Sequence, residues 1–441
     1  MQAFVDSSSS HEVLNGAITI KGSYLTHNRV IDLNNPFLAD TDLAIRNHRN
    51  SSRIISIDEA RTFIAASSLS HSLDGWGYLA HAVESLLKGD KGIAVHLAYY
   101  AELRATMSFL ACEGIGALNH LHFCTDSSGN FSTFPLTNSG PGTHVFVWDA
   151  LSKYLSSSSK PKNDILKIFT YNGKNFEEWL TAIPNSSSII ADQAIKDWIT
   201  DWSFDISLFS TDRKLRNEVS YKPKRLKDNS SINLTNSINE LTSFWNLLEP
   251  KGFERFSLLD QYLLKKFFKK THLYIVSLGI SLSFDDMIES AFNSLRLPLS
   301  LAEKSFFSSV NNHQLFVSAK NTSNDPIYGI LPISIIARAT LMLRLTIGYT
   351  SNIFKNAGIT KNDLTFFLDN IGIDNGFWEQ TKMPNDFIKL WDDVGQSIID
   401  IESWMSGRTH SPSLNEINKE LANELILYKQ INRAGFWGMN F

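Results

Sequence analysis

The chain has 441 residues, 41 Lys and Arg against 45 Asp and Glu, a formal net charge of -4, 43% hydrophobic and 12% aromatic residues. At roughly 150 residues per domain that length allows about two or three domains, and the apolar content supplies a real core, which excludes global disorder. The near-neutral balance argues neither for nor against nucleic acid, so only local charge can.

Two cysteines, Cys112 and Cys124, cannot form a disulfide framework, and the start MQAFVDSSSS lacks the charged and apolar regions of a secretory signal. A reducing cytoplasm is the expected location. The most apolar stretch, residues 330–349, carries Pro332, Arg338 and Arg344. Each central Arg costs about 2.5 to 3.5 kcal/mol on insertion scales, so this is read as a buried helix and no membrane partner is expected. Its two guanidiniums need partners, with Asp392, Asp393 or Glu402 of the C-terminal helices as the expected ones.

In chain order, residues 1–55 mix a short β-like run, Ala17-Ile18-Thr19-Ile20, with polar turns and are read as an irregular or small β lead-in. At Ser56-Ile57-Asp58-Glu59 the pattern turns helical, because a Ser with Glu three residues on is the spacing of a capping box. The clearest helix is residues 96–111, where Tyr99, Leu103, Met107 and Leu110 recur at helical spacing before Gly114 and Gly116 close it. On it Glu102 and Arg104 lie about 160° apart, so they cannot enter one site together and are each expected to pair with a neighbouring helix. Residues 117–125 and 131–134, flanking Asp126-Ser127-Ser128-Gly129-Asn130, read as a β-hairpin.

Ser-rich breaks at 156–162 and 185–188 and a polar segment at 222–236 are surface loops between further helices, placed at 238–248, 257–270, 387–405 and 413–431. The expected fold is therefore mainly α, a helical bundle with a small β-hairpin insertion and an additional C-terminal helical region, divided into residues 1–55, 56–270 and 271–441.

The most informative local sequence is Thr211 to Pro223, TDRKLRNEVSYKP, where Thr211 can cap a helix that Pro223 ends. The segment Arg216-Asn217-Glu218-Val219-Ser220-Tyr221 resembles the Arg-x4-6-His signature of the HEPN superfamily, with Tyr in the place of the His. The run Ala98-Tyr99-Tyr100-Ala101 through Gly114-Ile115 is similar to the early helix of the same superfamily. The resemblance covers residues 56–270. It implies a HEPN-like bundle, a homodimer, a role in prokaryotic antiviral defence or stress response, and RNA or a defence-system partner protein as ligand, with Arg216, Asn217 and Tyr221 as the degenerate catalytic positions. In active HEPN ribonucleases the Arg and His promote attack of a ribose 2'-OH on the adjacent phosphate without metal. Arg suits the phosphate through its planar fork and His moves the proton near neutral pH, whereas Tyr, with a pKa of about 10, is a poor base.

Local charge supports a phosphate-facing role. From Arg213 to Lys227, the cationic Arg213, Lys214, Arg216, Lys222, Lys224, Arg225 and Lys227 face Glu218 alone, and all but Arg216 are assigned to RNA binding. Lys265, Lys266, Lys269 and Lys270 make a second stripe, either a wet helix face or a phosphate-facing one.

Cys112, His120, His122 and Cys124 supply N and S ligand types but not the spacing of structural zinc sites, so no metal or other cofactor is assigned. P-loop, dinucleotide-binding, nucleophile-elbow and zincin motifs are absent from the sequence. Three functional readings follow. The first is a HEPN-like RNA- or partner-binding protein with a degenerate motif. The second is a metal-independent endoribonuclease in which Arg216 works with His96, His120 or His122 brought near in space. The third is a scaffold subunit of a multi-protein antiphage complex, offering the Phe436-Trp437 tail as its partner surface.

Overall fold

The computed structural model describes residues 1–136, 140–160, 162–186, 193, 195–197, 206–222, 233–251, 254–327 and 329–440. Helices α1 (Gln2–Ser7), α2 (Ser10–Ser23), α3 (Thr41–Arg49), α4 (Ile57–Leu87) and α5 (Lys91–Cys112) lead into strands β1 (Ile115–Gly116), β2 (His122–Thr125) and β3 (Phe131–Phe134). Then come α6 (Thr143–Ser156), α7 (Asn163–Leu166), the pair β4 (Thr170–Tyr171) and β5 (Lys174–Asn175), α8 (Phe176–Ala182), α9 (Ile206–Tyr221), α10 (Leu234–Leu248) and α11 (Ser257–Ser277). The last part holds α12 (Phe284–Ser294), α13 (Leu301–Ser308), α14 (Gln314–Lys320), β6 (Asn324–Asp325), β7 (Gly329–Ile330), α15 (Pro332–Asn356), α16 (Thr365–Asp374), α17 (Leu390–Ser406), α18 (Leu414–Glu420), α19 (Ala422–Tyr428) and α20 (Arg433–Gly438). The fold is mainly α with small antiparallel strand pairs, as the periodicity implies.

α4 starts on the capping box that its sequence announces, with the Ser56 side chain accepting from the Glu59 N–H and Glu59 accepting from that of Ser56. Gly89, in the left-handed region at φ +81°, turns the chain back, and Asp90 caps α5 by accepting from the Ile93 N–H. α4 and α5 pack along their length, and α15 lies against both. A Cβ on Gly75 of α4 would come within 2.6 Å of Leu343 Cδ2 on α15, so a larger residue here would force the Leu343 side chain to shift. The β2–β3 hairpin forms around the expected turn, with its first strand over 122–125 and not 117–125, pairing His122 with Phe134 and Thr125 with Phe131, and β1 extends it.

Several expectations are corrected. The start of the chain is helical: Ala17-Ile18-Thr19-Ile20 lies inside α2, whose Val13, Ala17 and Ile20 are fully buried in a helix packed on α4. A four-residue apolar run has no period long enough to separate strand from helix, and tertiary burial decides it. α9 begins at Ile206, so Thr211 is inside the helix and its hydroxyl donates to the Ser207 carbonyl instead of capping. Pro223 lies outside the described residues.

The guanidiniums of α15 pair with acids far from the C-terminal helices. Arg338 meets Asp212 at 2.6 Å and Glu102 at 3.3 Å, all three buried, and Arg344 meets Asp260 at 2.6 Å. Of the acids expected, Asp393 instead approaches Arg433 at 3.7 Å. The Phe436-Trp437 tail is core, with Trp437 fully buried and its indole N–H donating to the Leu248 carbonyl at 3.1 Å, because two aromatic rings bury more apolar area docked than exposed.

Candidate active site

Positions three and four apart share a helix face, so α9 presents Arg213, Arg216 and Ser220 together. Asn217 and Tyr221 fall about 100° and 140° round from Arg216. Phe209, two turns before Arg216, stacks on Trp148 of α6 at 4.4 Å, and Leu215 and Val219 are buried. These contacts seat α9 against α5 and α6 and fix the direction in which Arg216 points.

The Arg216 side chain is folded into that junction, only 8% exposed. Its guanidinium centre lies 5.2 Å from the ring of Tyr99 and 5.4 Å from that of Tyr100, both on α5, and Nη2 is 3.1 Å from the ring nitrogens of His144, at the start of α6. Among the described residues no carboxylate pairs with it, and Nε has no hydrogen-bond partner. A buried cation held by π-faces and an imidazole, without a counter-ion, is poised for an anion. Among the described residues, the ion pair that most often explains such an Arg is not formed.

His144 is held on three sides. The Tyr99 hydroxyl is 3.1 Å from Nδ1 and accepts from the Trp148 indole N–H at 3.3 Å, while Arg213 donates to the His144 carbonyl at 3.3 Å. Burial, then the charges of Arg216, Arg213 and His96, push the His144 imidazole down to about 4. Arg216 can only donate, so the ring must keep a lone pair for it, and His144 is a neutral acceptor at neutral pH. Burial pushes the Tyr99 phenol up to about 12, so it keeps its proton. His96, one turn before Tyr100, places Nδ1 2.8 Å from the Ser220 hydroxyl. Tyr100 lies between the two histidines, 4.9 Å from the His96 ring and 5.6 Å, edge-on, from His144, with Tyr78 stacked on it at 5.5 Å.

Beneath this layer the buried Arg338 fastens α5 to α9. It donates from Nε and Nη2 to Asp212, four residues before Arg216, at 3.0 and 2.6 Å, and from Nη1 to the carbonyls of Ala319 and Asn321 at 2.9 and 2.8 Å. Ser323 adds a hydrogen bond to Asp212. Burial, and the Asp212 carboxylate beside it, push Glu102 well above the usual carboxylate range. Arg104 leaves the opposite flank of α5 for His71, at 2.9 Å, and Asp74 on α4.

Of the residues singled out from sequence, Arg213, Arg216 and His96 come together here. Asn217, Lys214 and Lys222 are exposed, Lys222 pairs with Glu218 at 3.3 Å, and Tyr221 is 80% exposed. Lys224, Arg225 and Lys227 lie outside the described residues. His122 is held elsewhere, stacked on Phe146 at 3.5 Å, and Cys112 bonds Thr350 at 3.4 Å while Cys124 lies near Ser7; among the described residues no group of three potential metal ligands forms. Of the second lysine stripe, Lys269 and Lys270 are part-exposed and the other two are turned into the protein. Lys265 and Lys266 are buried, and Lys265 and Lys269 donate to Ser309 and Asn311 at the C-terminal end of α13, where a helix presents unpaired carbonyls. His144 escaped sequence reasoning because it sits 72 residues from Arg216; its only local sign is a His opening an apolar helix after Gly140-Pro141-Gly142.

No helix among the described residues is long and apolar enough to cross a membrane. Compared with family models, curated proteins and solved structures, the chain matches none.

Proposed function

We propose that this protein is a metal-independent endoribonuclease of HEPN-like character, acting on RNA as a homodimer in antiviral defence or stress response. The observation that carries the reading is Arg216, more than nine-tenths buried, without an acidic partner among the described residues, and within 3.1 Å of a neutral His144. A scissile phosphate supplies the missing counter-ion. Arg216, with Arg213 beside it, holds the non-bridging oxygens as charge grows on them. His144 takes the proton of the ribose 2'-OH as that oxygen bonds to phosphorus, and the bond from phosphorus to the 5'-oxygen breaks. His96 delivers a proton to the leaving 5'-oxygen, so the products are a 2',3'-cyclic phosphate and a 5'-hydroxyl. Tyr99 orients His144, as second-layer hydrogen bonds orient catalytic imidazoles.

The test is RNA cleavage in EDTA, with the wild type compared with Arg216→Ala, His144→Ala and His96→Ala at matched circular dichroism, and with product ends identified. Loss of a proton-transferring group typically costs 10²–10⁴-fold. Cleavage undiminished in both Arg216→Ala and His144→Ala would overturn the assignment. No cleavage by the wild type, with salt-dependent RNA retention that Arg216→Ala abolishes, would leave a binding module in which the Arg216–His144 hydrogen bond is the resting state of a degenerate site.

A further inference from the structure

Away from Arg216, a cavity of about 300 Å³ opens where three helices begin. Lys91, the first residue of α5, lines it, as do Asn236 and Ser237 in the first turn of α10, and Ile333 and Ser334 in the first turn of α15. The ends of α5 and α10 are capped by the side chains of Asp90 and Asn233, which leaves α15 as the helix with an open positive end here. The end of α15 has no side-chain cap among the described residues and begins with Pro332, and Ile333, next along, lines the cavity. The Ser334 hydroxyl is fully buried, lines the same cavity and has no hydrogen-bond partner among the described residues. An orphaned hydroxyl at such a position costs stability unless something in the cavity accepts from it. The lining also holds an acid: Glu240, one turn after Asn236 on α10, has its carboxylate held by the Ser318 hydroxyl at 2.7 Å, and Leu86 and Ile330 are apolar.

The geometry points to a binding site for a small phosphomonoester that carries hydroxyl groups. Its phosphate accepts from Ser334 and the α15 N-terminus with Lys91 nearby, and its hydroxyls donate to Glu240. A bare anion matches only half of these groups, since Glu240 repels it. The volume stands at the small end of metabolite sites, which suits a sugar phosphate and excludes a nucleic acid chain. The site shares no residue with the Arg216 cluster, so it stands or falls independently of the nuclease reading.

The test uses ribose 5-phosphate, with ribose and inorganic phosphate as controls at matched ionic strength, followed by calorimetric titration and thermal unfolding of the full chain. Ribose 5-phosphate should bind with a rise in Tm, inorganic phosphate more weakly and ribose not at all. Ser334→Ala should retain or raise the ligand-free Tm and weaken ribose 5-phosphate roughly tenfold, the usual worth of a hydrogen bond to a charged group. Ser334→Asp, which brings its own anion to the helix end, should raise the ligand-free Tm and abolish the response to ribose 5-phosphate. Absence of heat and of a Tm shift with the wild type, or affinity unchanged in Ser334→Ala, would overturn the proposal.

Discussion

Replacing Arg216 with Ala should raise the pKa of His144, a consequence that can be read without knowing any substrate. The imidazole lies near 4, against an ordinary 6.5, with burial as the first cause and the Arg216 charge as the second. At 3.1 Å the bare Coulomb repulsion between the guanidinium and an imidazolium is about 5 kcal/mol with an effective dielectric of about 20, an upper bound that water at a half-buried ring reduces. Burial remains when the charge is removed, so only part of the depression is relieved. A rise of roughly one pH unit is expected, equivalent to about 1.4 kcal/mol. The assay is an NMR titration of the imidazole carbon-bound protons in the wild type and in Arg216→Ala, with His144 assigned by the resonance lost in His144→Gln. A wild-type His144 titrating at or above 6.5, or a midpoint unmoved by Arg216→Ala, would refute the reasoning.

Three further outcomes are expected. His122 accepts from the Leu118 N–H through Nδ1 and bonds the Pro141 carbonyl through Nε2, and burial pushes it down to about 4. The unfolded chain therefore takes up the proton first, so stability holds above about pH 6.5 and falls as pH drops towards 4; in urea titrations, His122→Asn should cut the loss between neutral pH and pH 5 by about 2 kcal/mol, and an unchanged loss would contradict the assignment. Arg338→Ala leaves Asp212 and Glu102 buried without their cation and should cost about 3–5 kcal/mol in chemical denaturation, whereas a cost typical of a surface site would mean the network is not formed. Tyr221→Phe should change stability by less than about 0.5 kcal/mol and leave RNA cleavage intact, because the ring is 80% exposed; a large drop in cleavage would return Tyr221 to the catalytic centre.

Much of the local structure was legible in the sequence because its causes are local. The capping box at Ser56, the apolar period of α5 and the turn residues between β2 and β3 each act within a few residues of chain. The start of the chain was not, since Ala17 to Ile20 are apolar enough for strand or helix and only packing on α4 distinguishes them. The basic residues divide in the same way. Composition could not separate Lys265, which ends inside a helix-capping contact, from Arg216, which ends beside a histidine.

By itself the sequence determined that the chain is mainly helical, that α15 is a buried helix carrying two guanidiniums in need of partners, and that Arg216 lies on a helix dense in positive charge. Periodicity, capping and charge are properties of neighbouring residues, so they survive without a fold. Tertiary structure alone decided which acids meet Arg338 and Arg344, that the aromatic tail is core, that Tyr99, Tyr100 and His144 surround Arg216, and that His96 bonds Ser220 one turn further along α9. Those pairings join residues from tens to more than two hundred positions apart in the chain, and they exist only because α5, α6, α9 and α15 are packed into one core whose burial sets the partners and the protonation of each group.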